Sequence, residues 1–310
     1  MTEVGHHTET ISTGTAEITV VVAEEAPPRR ERSEILYFAL RNRKLVIGLS
    51  VVLFFLTLAI VGPWLTTAGP FEFGFPTGEP PSWDHWLGTT APGQDVFAQF
   101  VTGLRSTFVV GAVAGCVAAL IGMAIGFTAG YRGGLVDDVL SLITNVVLVI
   151  PTLAVLIVAS AYIGKGSLLG EALLIGVTSW PWAARAIRAQ TFSLAAREFV
   201  SLARLSGQRG WQIIVREIAP NMSSYLFLVF ILLVGSSILI AATLDFIGLG
   251  PSNVMSLGLM LQLAFQNAAL QLEMWWWFFP PGLAITAIVG GLYVMNVGLD
   301  EVFNPRLRDR

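Results

Sequence analysis

Charge is scarce in this 310-residue chain: Asp, Glu, Lys and Arg make up 13% of it against 54% hydrophobic residues, and the mean hydropathy is +0.70. Soluble globular domains carry roughly a quarter charged residues, so this balance excludes that class and indicates an integral membrane protein. Cysteine is nearly absent. The single Cys116 sits within an apolar run, which excludes a disulfide framework and a thiol metal site. Histidine is almost as rare: His6 and His7 adjoin near the N-terminus and His85 stands alone, a spacing unsuited to zinc. The only Gly-Lys pair, Gly164 and Lys165, lacks the glycine five residues earlier and the Ser or Thr directly after that a phosphate-cradling loop requires. A Gly-x-Ser-x-Gly elbow and a His-Glu-x-x-His pair are also missing, so nothing supports an intramembrane hydrolase. The chain is read as having no catalytic residues, no metal and no cofactor of its own.

What the sequence does have is long uncharged stretches. Leu45 to Phe71, Ser106 to Tyr131, Val139 to Gly164, Ile218 to Leu244 and Met274 to Leu299 are each long enough to cross a bilayer at about 20 residues. A shorter run, Ala172 to Ala184, reaches that length if its helix begins near Ser167, leaves Glu171 at headgroup depth and continues to snorkelling Arg185 and Arg188. The expected fold is therefore an all-α integral membrane protein of six transmembrane helices. Barrel strands are excluded because the runs show no alternating polar face. With the N-terminus in the cytoplasm, 16 of the 18 Lys and Arg residues fall inside and only Arg105 and Lys165 outside, as the positive-inside rule requires. Both termini are placed in the cytoplasm. Residues 1–34, polar and acidic, have too little apolar content for a core and are expected to be a disordered tail. Their one apolar patch, Ile18 to Ala23, is too short for a signal-peptide core. Residues 35–310 are expected to form the six-helix membrane domain.

Between the fourth and fifth runs lies a polar island, Arg197 to Asn221, carrying Arg197, Arg204, Arg209 and Arg216. Glu198 to Ser206 suits a helix that Gly207 stops, and a second short helix suits Trp211 to Ile218 before Pro220. Two short amphipathic helices joined by a glycine make either a docking knob for another protein or an interfacial pair lying on lipid.

The island resembles the cytoplasmic loop of ABC importer permeases, whose motif runs Glu-Ala-Ala, three residues, Gly, then an apolar stretch ending in Pro. Ala203, Gly207, Pro220 and Asn221 match in register, whereas Ser201 and Leu202 stand where the motif has Glu and Ala; Glu198 lies three residues earlier on the same face. The chain is similar in particular to the C-type permease of dipeptide and oligopeptide importers. That resemblance rests on His85-Trp86-Leu87-Gly88-Thr89, Gly93-Gln94-Asp95-Val96-Phe97 and Gly103-Leu104-Arg105-Ser106 before the second span, and on Gly130-Tyr131-Arg132-Gly133-Gly134 with Asp137 after it. It continues with Trp180-Pro181, Ala184-Arg185 and Arg188, then Leu244-Asp245-Phe246-Ile247-Gly248-Leu249-Gly250, and closes with Asn296, Gly298, Pro305, Arg306 and Leu307. Asp245 and Asn304 depart from it, standing where the family usually has Ser and Asp.

The resemblance implies an ABC importer type I permease fold in the plasma (inner) membrane, working by alternating access. It implies as partners a second homologous permease, two ATP-binding subunits holding ATP and Mg, and an extracytoplasmic substrate-binding protein. The loop, about residues 195–221, would couple to the ATPases through Glu198, Ser201, Leu202, Ala203, Arg204, Gly207, Trp211, Arg216 and Pro220. The implied cargo is di- or oligopeptide; nickel chelate, glutathione, oligosaccharide or antimicrobial peptide are alternatives within the family. A secondary transporter or a structural membrane subunit are alternatives from other classes.

Polar residues within the spans are the only sequence guide to a substrate path: Asn145, Ser236, Ser237, Asp245 and Asn296. Asp245 suits either an external gate or the turn at Gly248. The small residues from Gly111 to Gly126 suit close helix packing or a groove. Thr66 to Phe100 is rich in aromatics and proline, and suits either an interfacial anchor or a platform for the binding protein; Trp275, Trp276 and Trp277 read as an interfacial belt.

Overall fold

Apolar runs of this length satisfy their backbone only as helices in lipid, and helices dominate the computed structural model, which describes residues 8–13, 16–21, 38–163 and 167–303. Most of the 1–34 tail, Gly164 and Lys165, and the closing Asn304, Pro305, Arg306 and Leu307 lie outside the described residues. Within the tail, Thr8–Thr13 (β1) pairs antiparallel with Ala16–Val21 (β2), Ile11 opposite Ile18. This hairpin is unexpected from composition; the β-branched content of both segments favours it.

Four helices are individually long and apolar enough to span a membrane: α1 (Arg43–Leu65), α2 (Val96–Arg132), α10 (Ser223–Phe246) and α12 (Trp275–Phe303). Between α2 and α10 lie α3 (Gly134–Val149), α4 (Thr152–Ile163), α5 (Leu168–Ser179), α6 (Pro181–Ala195), α7 (Glu198–Leu205), α8 (Gly210–Ile213) and α9 (Ala219–Asn221), with α11 (Leu257–Gln266) between α10 and α12.

The third expected span is broken. Helices α3 and α4 meet at 76°, and as a pair they bring the number of spans by length and composition to five. Pro151 is the physical cause: it has no N–H to donate and forces Ile150 out of helical geometry, to ψ 127°. The sixth expected span is not one helix either. Helix α5 begins where the sequence places it, with Ser167 Oγ capping Gly170 N at 3.0 Å, but its 12 residues reach only about 18 Å before Pro181 opens α6. The count of six is thus not met by single helices.

Helix α2 is the mast of the bundle, packing against α1, α5, α6 and α10. Its 37 residues extend about 56 Å, against roughly 30 Å of hydrocarbon. Its small residues make the contacts close. A Cβ on Gly115 would lie 2.7 Å from Val234 Cγ2 of α10, and one on Gly126 would lie 2.8 Å from the Ala184 carbonyl oxygen of α6. The stripe is a packing surface against two helices rather than a groove.

The extra N-terminal length of α2 belongs to a cap built from the segment before it. Asp95 Oδ1 accepts from Ala98 N at 2.7 Å and its Oδ2 meets His85 Nδ1 at 2.8 Å. Trp276 Nε1 donates to the Thr89 carbonyl at 3.1 Å, and Trp277 Nε1 to Gln99 Oε1 at 3.3 Å, while Gln99 Nε2 reaches Gln94 Oε1 at 2.9 Å. Trp276 and Trp277 are therefore buried in protein, and only Trp275 is exposed as a belt residue would be. Between α10 and α12, α11 buries Leu257 and Met260 against this core.

Helix α1 closes the bundle against α12, where a Cβ on Gly48 would lie 2.5 Å from the Gly291 carbonyl oxygen. A Gly48→Leu variant should lose on the order of 1–3 kcal/mol through overpacking, seen as an earlier thermal midpoint in detergent. Gly290→Leu, with open space at its Cβ, should not lower that midpoint.

Candidate functional site: the polar loop between α6 and α10

Residues 196–222 leave the apolar bundle and return to it as a folded unit. Glu198–Leu205 forms α7, and its end is a hydrogen-bonded reversal: Gly207 N donates to the Arg204 carbonyl at 3.1 Å and Gln208 N to the Ala203 carbonyl at 3.3 Å. Gly207 has φ +76°, and a Cβ there would meet no atom within 4 Å, so backbone conformation alone demands glycine. Arg209 N then donates to Gln212 Oε1 at 2.9 Å, which starts α8. Residues Ile214–Ile218 are wound as a π turn, and Pro220 enters in the first turn of α9, where a missing N–H does no harm. The second expected helix is present, but widened to admit the proline.

Burial divides the expected coupling residues into two sets. Ala203 is 6% exposed and, with fully buried Val200, Ile213 and Ile218, packs the loop onto Ala183, Ala184 and Ile187 of α6 and Phe127 of α2. Glu198, Ser201, Leu202, Arg204, Trp211, Arg216 and Pro220 are exposed, as are Leu205 and Val215. Leu205 is 84% exposed and Trp211 59%. The result is a solid inner face and an outer face that is apolar and basic at once. Tyr131, at the end of α2, fixes the loop sideways: the Arg204 guanidinium carbon lies 5.0 Å from its ring centre, and its ring edge lies 3.0 Å from a Cβ on Gly210. Between them a cleft of about 550 Å³, lined by Tyr131, Arg132, Phe192 and Arg204, opens to the surface.

The arginines just before the loop do more than snorkel. Arg188 grips Asp137 with both ends of its guanidinium: Nε donates to Oδ1, and Nη2 donates to Oδ2 at 2.6 Å. Ser141 Oγ adds a third donor to Asp137 at 3.0 Å. One turn earlier on α6, Arg185 Nη2 donates to Asn145 Oδ1 at 2.7 Å. These two rungs tie α6 to α3, hence the mount of the loop to the broken span. They also wall a cavity of about 390 Å³ with Gly126, Ala129 and Thr144. Sequence reasoning missed this pairing, although Arg185 and Arg188 stand three apart on one helical face and Asp137 and Asn145 eight apart on another.

The polar residues suggested for a substrate path do not converge. Asn145 lines the cavity beside Arg185. Asn296 Nδ2 donates to the Leu228 carbonyl at 2.7 Å, fastening α12 to α10. Ser236 Oγ bonds within α10, to the Leu233 carbonyl, and Ser237 is fully buried. Asp245 is buried at the opposite end of α10 from the loop, accepting from Ser256 Oγ. No His, Cys, Asp or Glu group able to hold a metal occurs among the described residues.

Spanning helices that carry a rigid polar loop with this glycine and proline match a known family. Residues 122–309 fit the description binding-protein-dependent transport system inner membrane component. The chain belongs to that family. It is 31% identical to the dipeptide transport system permease protein DppC of Alkalihalophilus pseudofirmus over 86% of this chain and 88% of that one. It is 30% identical to DppC of Bacillus subtilis over 86% and 83%, and 28% identical to the oligopeptide transport system permease protein OppC of the same organism over 86% and 87%. The chain is thus a multi-pass inner-membrane permease component, and the loop and α6 fall inside the matched region.

In this permease the Asp137–Arg188 pair is part-exposed, Arg188 by 38%. Asp137→Asn should cost on the order of 1–3 kcal/mol, between exposed and buried ion pairs, measured as thermal stability in detergent. Exchanging the charges, Asp137→Arg with Arg188→Asp, should recover part of that loss in a double-mutant cycle.

Proposed function

We propose that this chain is the permease subunit of an ATP-driven importer that moves di- or oligopeptides inward, and that residues 195–221 dock on its ATPase partner. The observation that carries this is the two-faced loop, with Val200, Ala203, Ile213 and Ile218 buried and Leu202, Leu205, Trp211 and Val215 exposed beside Arg204 and Arg216. A surface of large apolar side chains with arginine among them has the composition of an interface centre. The peptide cargo follows from the dipeptide and oligopeptide transport systems to which the DppC and OppC relatives belong.

Alternating access needs the ATPase movement to reach the spans, and a stiff connection is supplied at each step. Gly207 sets the reversal, the buried loop residues press on α6, and Arg185 and Arg188 carry α6 to α3. Two ATP-binding subunits holding ATP and Mg, a second permease closing the path and an extracytoplasmic binding protein complete the assembly. The positive-inside distribution puts both termini and the loop on the cytoplasmic side. The α5–α6 segment then serves as the remaining crossing, and Asn145 with the cavity beside it forms the inner part of the path.

Gly207→Val, strained at a positive φ, and Trp211→Ala, which removes the largest anchor, should each insert and assemble yet take up little peptide while ATP is still hydrolysed. Uptake at the wild-type rate by either variant in reconstituted vesicles would contradict the coupling role.

A further inference from the structure

On the wall of the cavity between α3 and α6, Arg185 stands with its charge unanswered. Of the five N–H groups of a guanidinium it spends one on Asn145 Oδ1, at 2.7 Å. Its other N–H groups, and Asn145 Nδ2 beside them, meet no acceptor among the described residues. The neighbouring polar groups are already engaged: Asp137 is held by both ends of the Arg188 guanidinium, Ser141 Oγ donates to the same carboxylate at 3.0 Å, and Thr144 Oγ1 donates to the Leu140 carbonyl at 2.7 Å. No acid lines the cavity, and Asp138, the next acid on α3, is exposed outside its lining. The remaining wall, formed by Ile125, Gly126, Ala129 and Ala184, is apolar and mostly too small to fill the space. Arg185 also lies inside the end of the bundle. A Cβ on Gly126 would lie 2.8 Å from the Ala184 carbonyl oxygen, which sets this level of α6 six residues, about 9 Å, short of the end of α2 at Arg132. A guanidinium at that depth calls for an anionic partner.

One unpaired cation, an amide donor beside it and an apolar remainder fit a small organic carboxylate. A planar carboxylate meets a guanidinium in two parallel hydrogen bonds, as Asp137 meets Arg188. We propose that Arg185 and Asn145 Nδ2 bind the C-terminal carboxylate of a peptide in this cavity, with the last side chain against the apolar wall. The assignment rests on the importer reading, which alone brings peptide to this place. At about 390 Å³ the cavity is within the range of small-molecule sites, roughly 300–1,000 Å³, and suits a dipeptide or the last residues of a longer one. The free amino end of a peptide is not held here, because its ammonium finds no acid in the lining. Arg188 has a positioning role: by occupying Asp137 it keeps the chain's own carboxylate off Arg185 and leaves that charge for the ligand.

Thermal unfolding of the full chain in nanodiscs of neutral phosphatidylcholine tests this, with the midpoint titrated against N-acetyl-alanyl-alanine and against its C-terminal amide, which lacks the charge. The free acid should raise the wild-type midpoint saturably and the amide should not. Arg185→Gln should weaken binding of the acid about tenfold or more, the equivalent of one lost hydrogen bond to a charged group. Asn145→Asp keeps the rung to Arg185 but answers its charge from within, so it should abolish the response while α3 and α6 stay tied; if Arg185→Gln does not fold, this variant decides the matter. An equal response to acid and amide, no response to either, or a response that survives in Asn145→Asp overturns the site. So does a midpoint that rises with phosphatidylglycerol through Arg185 while the acid has no effect, because the anion is then a lipid phosphate. Dipeptide uptake by the assembled wild-type importer keeps the two readings apart: uptake without binding of the acid to this chain removes the carboxylate site alone, whereas binding without uptake removes the importer reading and leaves the site standing.

Discussion

Close backbone approach between α2 and its neighbours is the constraint on which the rest of the structure depends. Without a hydrophobic drive between helices in lipid, association rests on van der Waals contact and interhelical hydrogen bonds, and both require small residues at the seam. Gly115 lets α10 in on one side and Gly126 lets α6 in on the other. That spacing brings the Arg188 guanidinium onto Asp137, and it places Ala183, Ala184 and Ile187 where the loop can settle on them. A wider seam would leave the loop without a floor.

The two ends of the bundle use different chemistry for the same purpose. Near the loop, charge and aromatic faces do the fastening: Arg188 on Asp137, Arg204 over Tyr131, and an apolar floor beneath. At the other end, neutral hydrogen bonds lock an irregular cap to the start of α12, with both indole N–H groups of Trp276 and Trp277 satisfied. Most buried polar groups at both ends have partners, as a low-dielectric interior demands, although Gln208 Oε1 in the loop and both Glu171 oxygens have none.

Much of this architecture is legible in the sequence, and the misses have physical reasons. Uncharged runs reveal α1, α2, α10 and α12, because length and apolarity alone define a lone span. Hydropathy is blind to Pro151, whose effect is geometric, so the third run looks continuous while the chain bends by 76°. The loop's reversal is readable from Gly207, yet nothing in a single sequence distinguishes the buried Ala203 from the exposed Leu202 beside it until α7 is set on α6. Trp276 and Trp277 look like a lipid belt because tryptophan suits both an interface and a wet protein cap. Asn145 and Asn296 share only their polarity in the sequence, but one joins Arg185 and the other ties two helices together. Side-chain pairing across distant helices is the information that hydropathy does not contain.

The central claim is that the outer face of the loop meets an ATP-hydrolysing subunit and not lipid. A photo-crosslinking residue at Leu205, the most exposed large apolar position of the loop, in membranes of the native host tests it most directly. The account predicts a protein adduct whose mass identifies an ATPase subunit and whose yield changes when ATP is added. Adducts with lipid alone would contradict it and would make the loop an interfacial helix pair.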